Sequence, residues 1–418
     1  MKLAARIFLL FTGLLLLAHY LPAGYWLVAG QRQRVPTVFY SAVQKGFLLF
    51  RSDKGTLTRT DPAGKIYERE EFEQLLPLDN YMQLYKDGRM PKEIDGVAIT
   101  PEKLRRERVN VRLKPEALDS PSVALLPLFE SESGRVRLEM PSDFMRLGDR
   151  IEFIDAKSNR LLAEKTAQFQ RVFSDAGFAF PVRVIGGNPS TLKPYDEGYF
   201  LVDAQDNCFR LRQVHGAPEL SRLVDLAAPG EKSKWSGLRP RFIHVQEQDN
   251  REIHAVIIGR NNAVYLAVDK DFRLVALPLQ RFDPDTMQLM LRGDLLNRLA
   301  AVNSSGYVEA VVMNRNYEFL DRYTETLSAR AERPAGRIAA ALFPFTLELE
   351  SATSGFLGFH FAPGDVIAFG LNLVLVAGSA GWWVYRKRPL RGRWPELAAV
   401  GVGGIFGLVL VSLLPKTE

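Results

Sequence analysis

The chain has 418 residues, 47% of them hydrophobic and 24% charged, with one cysteine and a formal net charge of +6. This composition excludes a disordered polymer and a small disulfide-stapled scaffold. It also excludes a nucleic-acid-binding face, because positions 31–364 hold 46 basic and 45 acidic residues and the excess lies at the two ends.

Residues 1–30 read as a transmembrane anchor. The stretch Ile7 to Ala29 has no charge and ends with the interfacial pair Tyr25 and Trp26. Lys2 and Arg6 precede it and place the N-terminus in the cytoplasm, while Arg32 and Arg34 follow it. The competing reading is a cleaved signal peptide, with Val28-Ala29-Gly30 as the cleavage site.

Residues 31–118 read as strands with a small helical insert. Phe47 to Asp53 and its return through Leu57 form an apolar strand, a turn and a second strand. Glu70 to Leu76 predicts a short helix with its acids early, as the helix dipole prefers. Asp79 is expected to cap a second helix, Asn80 to Lys86, which stops at Asp87-Gly88. Thr100 is expected to cap a third, with Pro101 at its first position.

Residues 119–350 read as a repeat region. Four stretches share a form in which an apolar strand meets an Asp or Asn turn and returns. They are Arg150 through Leu162, Tyr199 through Leu211, Val264 through Leu277 and Val308 through Leu320. Their turn residues Asp155, Asp203, Asp269 and Asn314 are 48, 66 and 45 positions apart, close to the length of a propeller blade. Each strand is expected to bury one face. The fold expected is therefore a mainly β, propeller-like domain with an α-rich insert, and a β-sandwich is the alternative.

Residues 351–418 read as a pair of transmembrane helices. The second span runs from about Asp365 to Tyr385, with Trp382, Trp383 and Tyr385 at its far interface. A basic loop follows at 386–393, five basic residues in eight, and such a loop belongs in the cytoplasm. A third span, about Pro395 to Leu414, is expected to cross back outward. The layout predicts a multi-pass protein of a bacterial inner membrane with its large domain in the periplasm and the lipid bilayer as its first partner. Gly403 with Gly407, and Ala377 with Gly381, are small-residue pairs that suit close helix packing. Asn372 is the strongly polar side chain in mid-span and is expected to bond a neighbouring helix.

The run Leu76-Pro-Leu-Asp79-Asn80-Tyr81-Met-Gln-Leu-Tyr85-Lys86-Asp-Gly-Arg89-Met-Pro91, followed by Asp95-Gly96-Val97, resembles an uncharacterised family of bacterial membrane proteins known only as a domain of unknown function. Its members are often encoded beside ABC-transporter genes. The resemblance implies an accessory role with transporter subunits as partners, and it brings no catalytic residues with it.

No catalytic, cofactor or metal motif stands out. The histidines His19, His215, His244, His254 and His360 share no ligand spacing, and His244 and His254 suit a structural role. No phosphate loop or nucleophile elbow is present. The Asp203–Asn207 and Asp269–Asp271 turns lack the further oxygens of a calcium loop. Cys208 reads as a buried hydrophobe. Two features suit partner binding: the loop carrying Trp235 and Arg239, and Tyr81, Tyr85, Lys86 and Arg89 in the insert. The expectation is a non-enzymatic accessory or sensory subunit, weighed against a membrane-tethered periplasmic hydrolase or lyase and an envelope assembly scaffold.

Overall fold

The computed structural model of the chain describes residues 2–29, 35–53, 56–118, 125–328, 333–350, 358–387 and 389–414. Arg32, Arg34, Arg388, Lys416 and Glu418, and the cleavage position Gly30, lie outside the described residues. Two compact units emerge. One is Met1–Val35, Ser305–Tyr307 and Thr326–Glu418, and the other is Pro36–Ser304 with Val308–Glu325.

The chain opens with helix α1 (Lys2–Ala29), which belongs to the first unit. The second unit is mostly β-strand. Strands β1 (Thr37–Ser41), β2 (Gly46–Asp53) and β3 (Thr56–Thr60) form an antiparallel meander. The insert follows as α2 (Arg69–Leu75), α3 (Tyr81–Lys86), the hairpin β4 (Glu93–Ile94) and β5 (Val97–Ala98), and α4 (Pro101–Arg106). Phe72 and Leu76 bury against Leu48 of β2, which ties α2 to the first sheet. Thr100 caps α4 by accepting from the Lys103 N–H, as its sequence foretells. Asp79 caps nothing. The N-cap of α3 is Asn80, whose side chain donates back to the Leu76 carbonyl instead.

Next come β6 (Val109–Leu113), α5 (Pro115–Leu118), β7 (Asp143–Leu147), β8 (Ile151–Asp155) and α6 (Ala163–Asp175). Two elements here differ from expectation. Strand β8 pairs with the preceding β7, and its expected return strand is a single bridge from Ile154 to Leu161. The chain then enters α6, whose Phe169 and Phe173, four apart, bury on one face.

Three sheets complete the unit. Strands β9 (Val184–Gly186), β10 (Tyr199–Val202), β11 (Cys208–Val214) and β12 (Ala217–Arg222) make the first. Helices α7 (Leu223–Leu226) and α8 (Lys232–Gly237) lead to the second, β13 (Pro240–Val245), β14 (Ile253–Gly259), β15 (Val264–Val268) and β16 (Arg273–Ala276). The third contains β17 (Gln288–Gly293), β18 (Asn297–Asn303), β19 (Tyr307–Asn314) and β20 (Phe319–Thr326), with β6 added beside β17. The hairpins expected at Asp203, Asp269 and Asn314 all form. Asp269 itself takes a left-handed φ of 60°, and Tyr317 takes 66° beyond Asn314.

These sheets pack in series. Tyr199, Leu201, Phe209 and Leu211 face the core of β7, β8 and α6, while Phe200, Val202 and Cys208 face the β13–β16 sheet. In β14, Ala255 and Ile257 face one neighbour while Ile253, Val256 and Ile258 face the other. A central strand is therefore buried on both faces, which explains why Ile253 to Gly259 is apolar except for His254 and corrects the expectation of one buried face. The mainly β class stands, but the sheets close into no barrel or propeller ring among the described residues.

The first unit continues with α9 (Pro334–Leu342), the hairpin β21 (Phe345–Glu350) and β22 (Gly358–Pro363), and α10 (Val366–Tyr385). Helices α1 and α10 are long and apolar enough to cross a membrane. The expected third span is not one helix. It breaks at Gly404 into α11 (Trp394–Gly403) and α12 (Ile405–Leu413). Gly404 has φ 52° and ψ −121°, a conformation that glycine adopts without a Cβ penalty. The two pieces fold back on each other: a Cβ on Gly407 would sit 2.1 Å from the Ala399 carbonyl. The same Arg6 Nη2 reaches Glu396 at 3.2 Å near the start of α11 and the Leu414 carbonyl beyond the end of α12. Ten residues of helix rise only about 15 Å, half of a bilayer core of about 30 Å.

Candidate functional site

A polar cleft of the β unit lies where the insert meets the third sheet, with a volume of about 280 Å³. Strand β1 contributes Phe39 and Tyr40, the turn before α3 contributes Asp79 and Asn80, and Arg108 follows α4. Opposite them, β17 contributes Arg292, the β17–β18 turn contributes Asp294, and β18 contributes Asn297. The register that aligns these groups is fixed by β6 against β17, with Asn110 opposite Arg292 and Val109 opposite Gly293. Gly293 is required there, since a Cβ would come within 2.9 Å of Val109. Alternation along β17 sends Leu289 and Leu291 into the core and turns Arg292 the other way.

The polar groups of the cleft are unequal. The Asp294 carboxylate accepts the Leu296 and Asn297 N–H groups at 2.7 and 2.8 Å and is occupied by its own turn. The Asp79 carboxylate has no hydrogen-bond donor among the described residues, and its pKa is pushed up to about 6. Burial is the main cause, the Asp294 charge adds to it, and Arg292 and Arg108 oppose it. Arg292 stacks over the Phe39 ring at 4.8 Å, and burial lowers its pKa. Neither Arg292 nor Arg108 lies within 4 Å of a carboxylate among the described residues. One carboxylate and two guanidinium groups thus face a small cavity with free hydrogen-bonding capacity, as in a ligand site.

A second polar cluster is closed on itself. Lys193, 2% exposed, binds Asp196 at 2.6 Å and Glu247 at 2.8 Å. Glu247 also accepts from the Glu197 N–H and Asn188 Nδ2. Glu197 meets His254 at 2.7 Å, and the other ring nitrogen of His254 meets the Asp269 carbonyl. These charges knit the β9–β12 sheet to the β13–β16 sheet, which gives His254 a structural role. His244 lies on the neighbouring strand, its pKa lowered by burial.

The residues singled out in the sequence fall in different places. Trp235 is a core side chain, 3% exposed, donating Nε1–H to the Phe272 carbonyl, so it is not available to a partner. Arg239 stays at the surface beside Asp206. Tyr81 packs towards Leu78 and Ile94, Tyr85 and Lys86 are exposed, and Arg89 is held by Asp87 and Glu73. Gly403 receives Leu14 of α1 and Gly407 receives α11, whereas Ala377 and Gly381 lie on an open face of α10. Asn372 does bond a neighbouring helix, through Nδ2 to the Gly401 carbonyl at 3.1 Å. Asp203 accepts from Gln205, Asn207 and Ala179, leaving its oxygens no room for calcium. Among the described residues, no three His, Cys, Asp or Glu side chains are grouped to hold a metal.

Sequence reasoning missed Asp79, Arg108 and Arg292 as a set. The available signal was Arg292 as a charge inside an otherwise apolar strand, and Asp79 inside the run that carries the family resemblance. No curated protein matches the chain. A family model does match, over residues 37–313, more than half of the sequence and including every element that lines the cleft. The chain belongs to that family, DUF4857, a domain of unknown function.

Proposed function

We propose that this protein is a membrane-anchored sensory or accessory subunit that binds a small charged ligand in the Asp79–Arg292 cleft. The observation that carries this reading is the unpartnered Asp79 carboxylate beside two guanidinium groups without ion-pair partners. Asp294 keeps its charge while its turn takes up its hydrogen bonds, so the groups left free to bond a ligand are two cations and one anion. The matching ligand is a small carboxylate or phosphate that also carries a hydroxyl or amino donor. The anion meets Arg292 and Arg108, and the donor meets Asp79.

The membrane arrangement belongs to the same proposal. Lys2 and Arg6 lie in the first turns of α1 and the basic loop follows α10, so the positive-inside rule puts both on the cytoplasmic side of a bacterial inner membrane and the β unit in the periplasm. The α11–α12 hairpin enters and leaves from that cytoplasmic side. The partner is a membrane complex docking on the open Ala377–Gly381 face of α10, and an ABC transporter is the one the family resemblance implies. The specific observation favouring a hydrolase or lyase is the Asp79 pKa of about 6, suited to a general acid or base.

The test is a thermal-shift screen of the full chain in mild detergent against hydroxy and amino carboxylates and their phosphate counterparts. A saturable stabilisation that disappears in both Asp79→Leu and Arg292→Met supports the reading. Stabilisation that survives both substitutions, or none from any member of the panel, sinks it. Turnover of a binding compound would move the assignment to the enzyme.

A further inference from the structure

Helices α10 and α12 leave a groove of about 580 Å³ between them. One wall is Val374, Gly378 and Trp382 of α10, and the other is Leu408 and Val411 of α12. Gly378 makes the groove possible, because its missing side chain leaves open space. The groove is mostly apolar, broken by Ser379 and Ser412, and Arg393 lines it as its one basic residue. Arg393 stacks over Trp383 at 5.1 Å and Arg386 over Trp382 at 4.9 Å, which holds both cations at the groove mouth. Lys387 and Arg391 are exposed in the same basic loop. None of the four has a carboxylate within 4 Å among the described residues. The nearest acid in sequence, Glu396, is 1% exposed and paired with Arg6. The Ser379 hydroxyl lines the groove, buried and without a hydrogen-bond partner.

We infer that this groove binds one anionic phospholipid, with an acyl chain between α10 and α12 and its phosphate on Arg393. Charge complementarity selects the occupant. A mostly apolar slot ending in Arg393, with Arg386 over its Trp382 wall and neither paired to a carboxylate, fits a lipid that is apolar along one part and negative at its head. A zwitterionic lipid brings its own cation to that end and loses this preference. An apolar helix from a partner fills the slot but leaves the cations unmatched. The lipid also covers the flank of the hairpin, whose tip rests on Asn372.

The experiment uses the full chain in nanodiscs of phosphatidylcholine doped with a few per cent of brominated phosphatidylglycerol or brominated phosphatidylcholine. Bromine quenches tryptophan on contact, and a Trp382→Phe, Trp383→Phe chain identifies the signal from the groove. The expected result is groove quenching several-fold stronger with the brominated phosphatidylglycerol at equal dose. Arg393→Gln should abolish the preference, and Arg393→Lys should retain most of it while showing that the fold tolerates the position. Equal quenching by the two lipids overturns the inference, as does a preference unchanged in Arg393→Gln. Absence of quenching by either lipid overturns it too, since protein then fills the groove.

Discussion

Replacing Asp79 with Asn should stabilise the ligand-free protein at neutral pH. A buried carboxylate with a pKa of about 6, against about 3.9 in an unfolded chain, binds protons more tightly when folded. Its favourable contribution is complete below pH 4 and is lost as the pH rises through 6. Two pKa units at 1.36 kcal/mol each put the loss at about 3 kcal/mol by pH 7.5, an upper figure because the cleft admits water. Asn keeps the shape and cannot ionise. The assay is a thermal melt of the full chain in detergent at pH 4.5 and pH 7.5, comparing Asp79→Asn with the parent. At pH 7.5 the variant should melt a few degrees higher, and at pH 4.5 the gap should shrink to roughly a third. A variant that melts lower at pH 7.5, or an offset independent of pH, would refute the reasoning. Asp79 would then be a structural group with an unseen partner.

Other expectations follow from the packing. Glu252→Gln should cost about 3 kcal/mol in stability. It leaves the fully buried Arg298, which pairs with Glu252 at 2.5 Å, without its counter-charge. Burial opposes ionisation of Glu252, but the Arg298 hydrogen bonds win and hold its pKa below the ordinary value. Its contribution is therefore present above about pH 4.3 and fades as the pH falls through the depressed pKa, so acid melts should converge for parent and variant. Leu266→Ala, at a fully buried position of the β13–β16 sheet, should cost about 2–5 kcal/mol by denaturant titration. Gly198→Ala should destabilise strongly. The residue has φ 77° and its Cβ would lie 2.1 Å from the Leu211 carbonyl, so loss of expression or a large fall in melting temperature is expected. A variant that melts with the parent would contradict the close approach.

The sequence was most legible where local chemistry acts alone. The apolar stretches of α1 and α10, the Thr100 cap and the hairpins at Asp203, Asp269 and Asn314 each depend on a few adjacent residues. Long-range pairing was not legible. Nothing in Val109–Leu113 says that it joins β17 some 180 residues later, and that pairing builds the cleft. The third span failed because its sequence is apolar without a break from Leu397 to Val411. Only the conformation of Gly404 and the contact of Gly407 with Ala399 turn that stretch into two half-length helices. Trp235 misled for the opposite reason: its basic neighbours look like surface, while its ring is buried in the same core cluster as Phe272. Asp79 read as a helix cap because Asp before a helical run usually is one, and its true surroundings come from strands far away in sequence.

The most direct test is a cysteine-accessibility map of the full chain in intact cells and in inverted membranes. The native Cys208 is buried, with its thiol pKa pushed up to about 12, so it contributes little background. Single cysteines at Asp271 in the β unit and at Lys387 in the basic loop, and a cysteine tag appended to the C-terminus, would report the three positions. The expected result is labelling of the Asp271 site from outside only, and of the Lys387 site and the C-terminal tag from inside only. Labelling of the tag from outside would contradict the re-entrant hairpin, and labelling of the Asp271 site from inside would contradict a periplasmic ligand-binding domain.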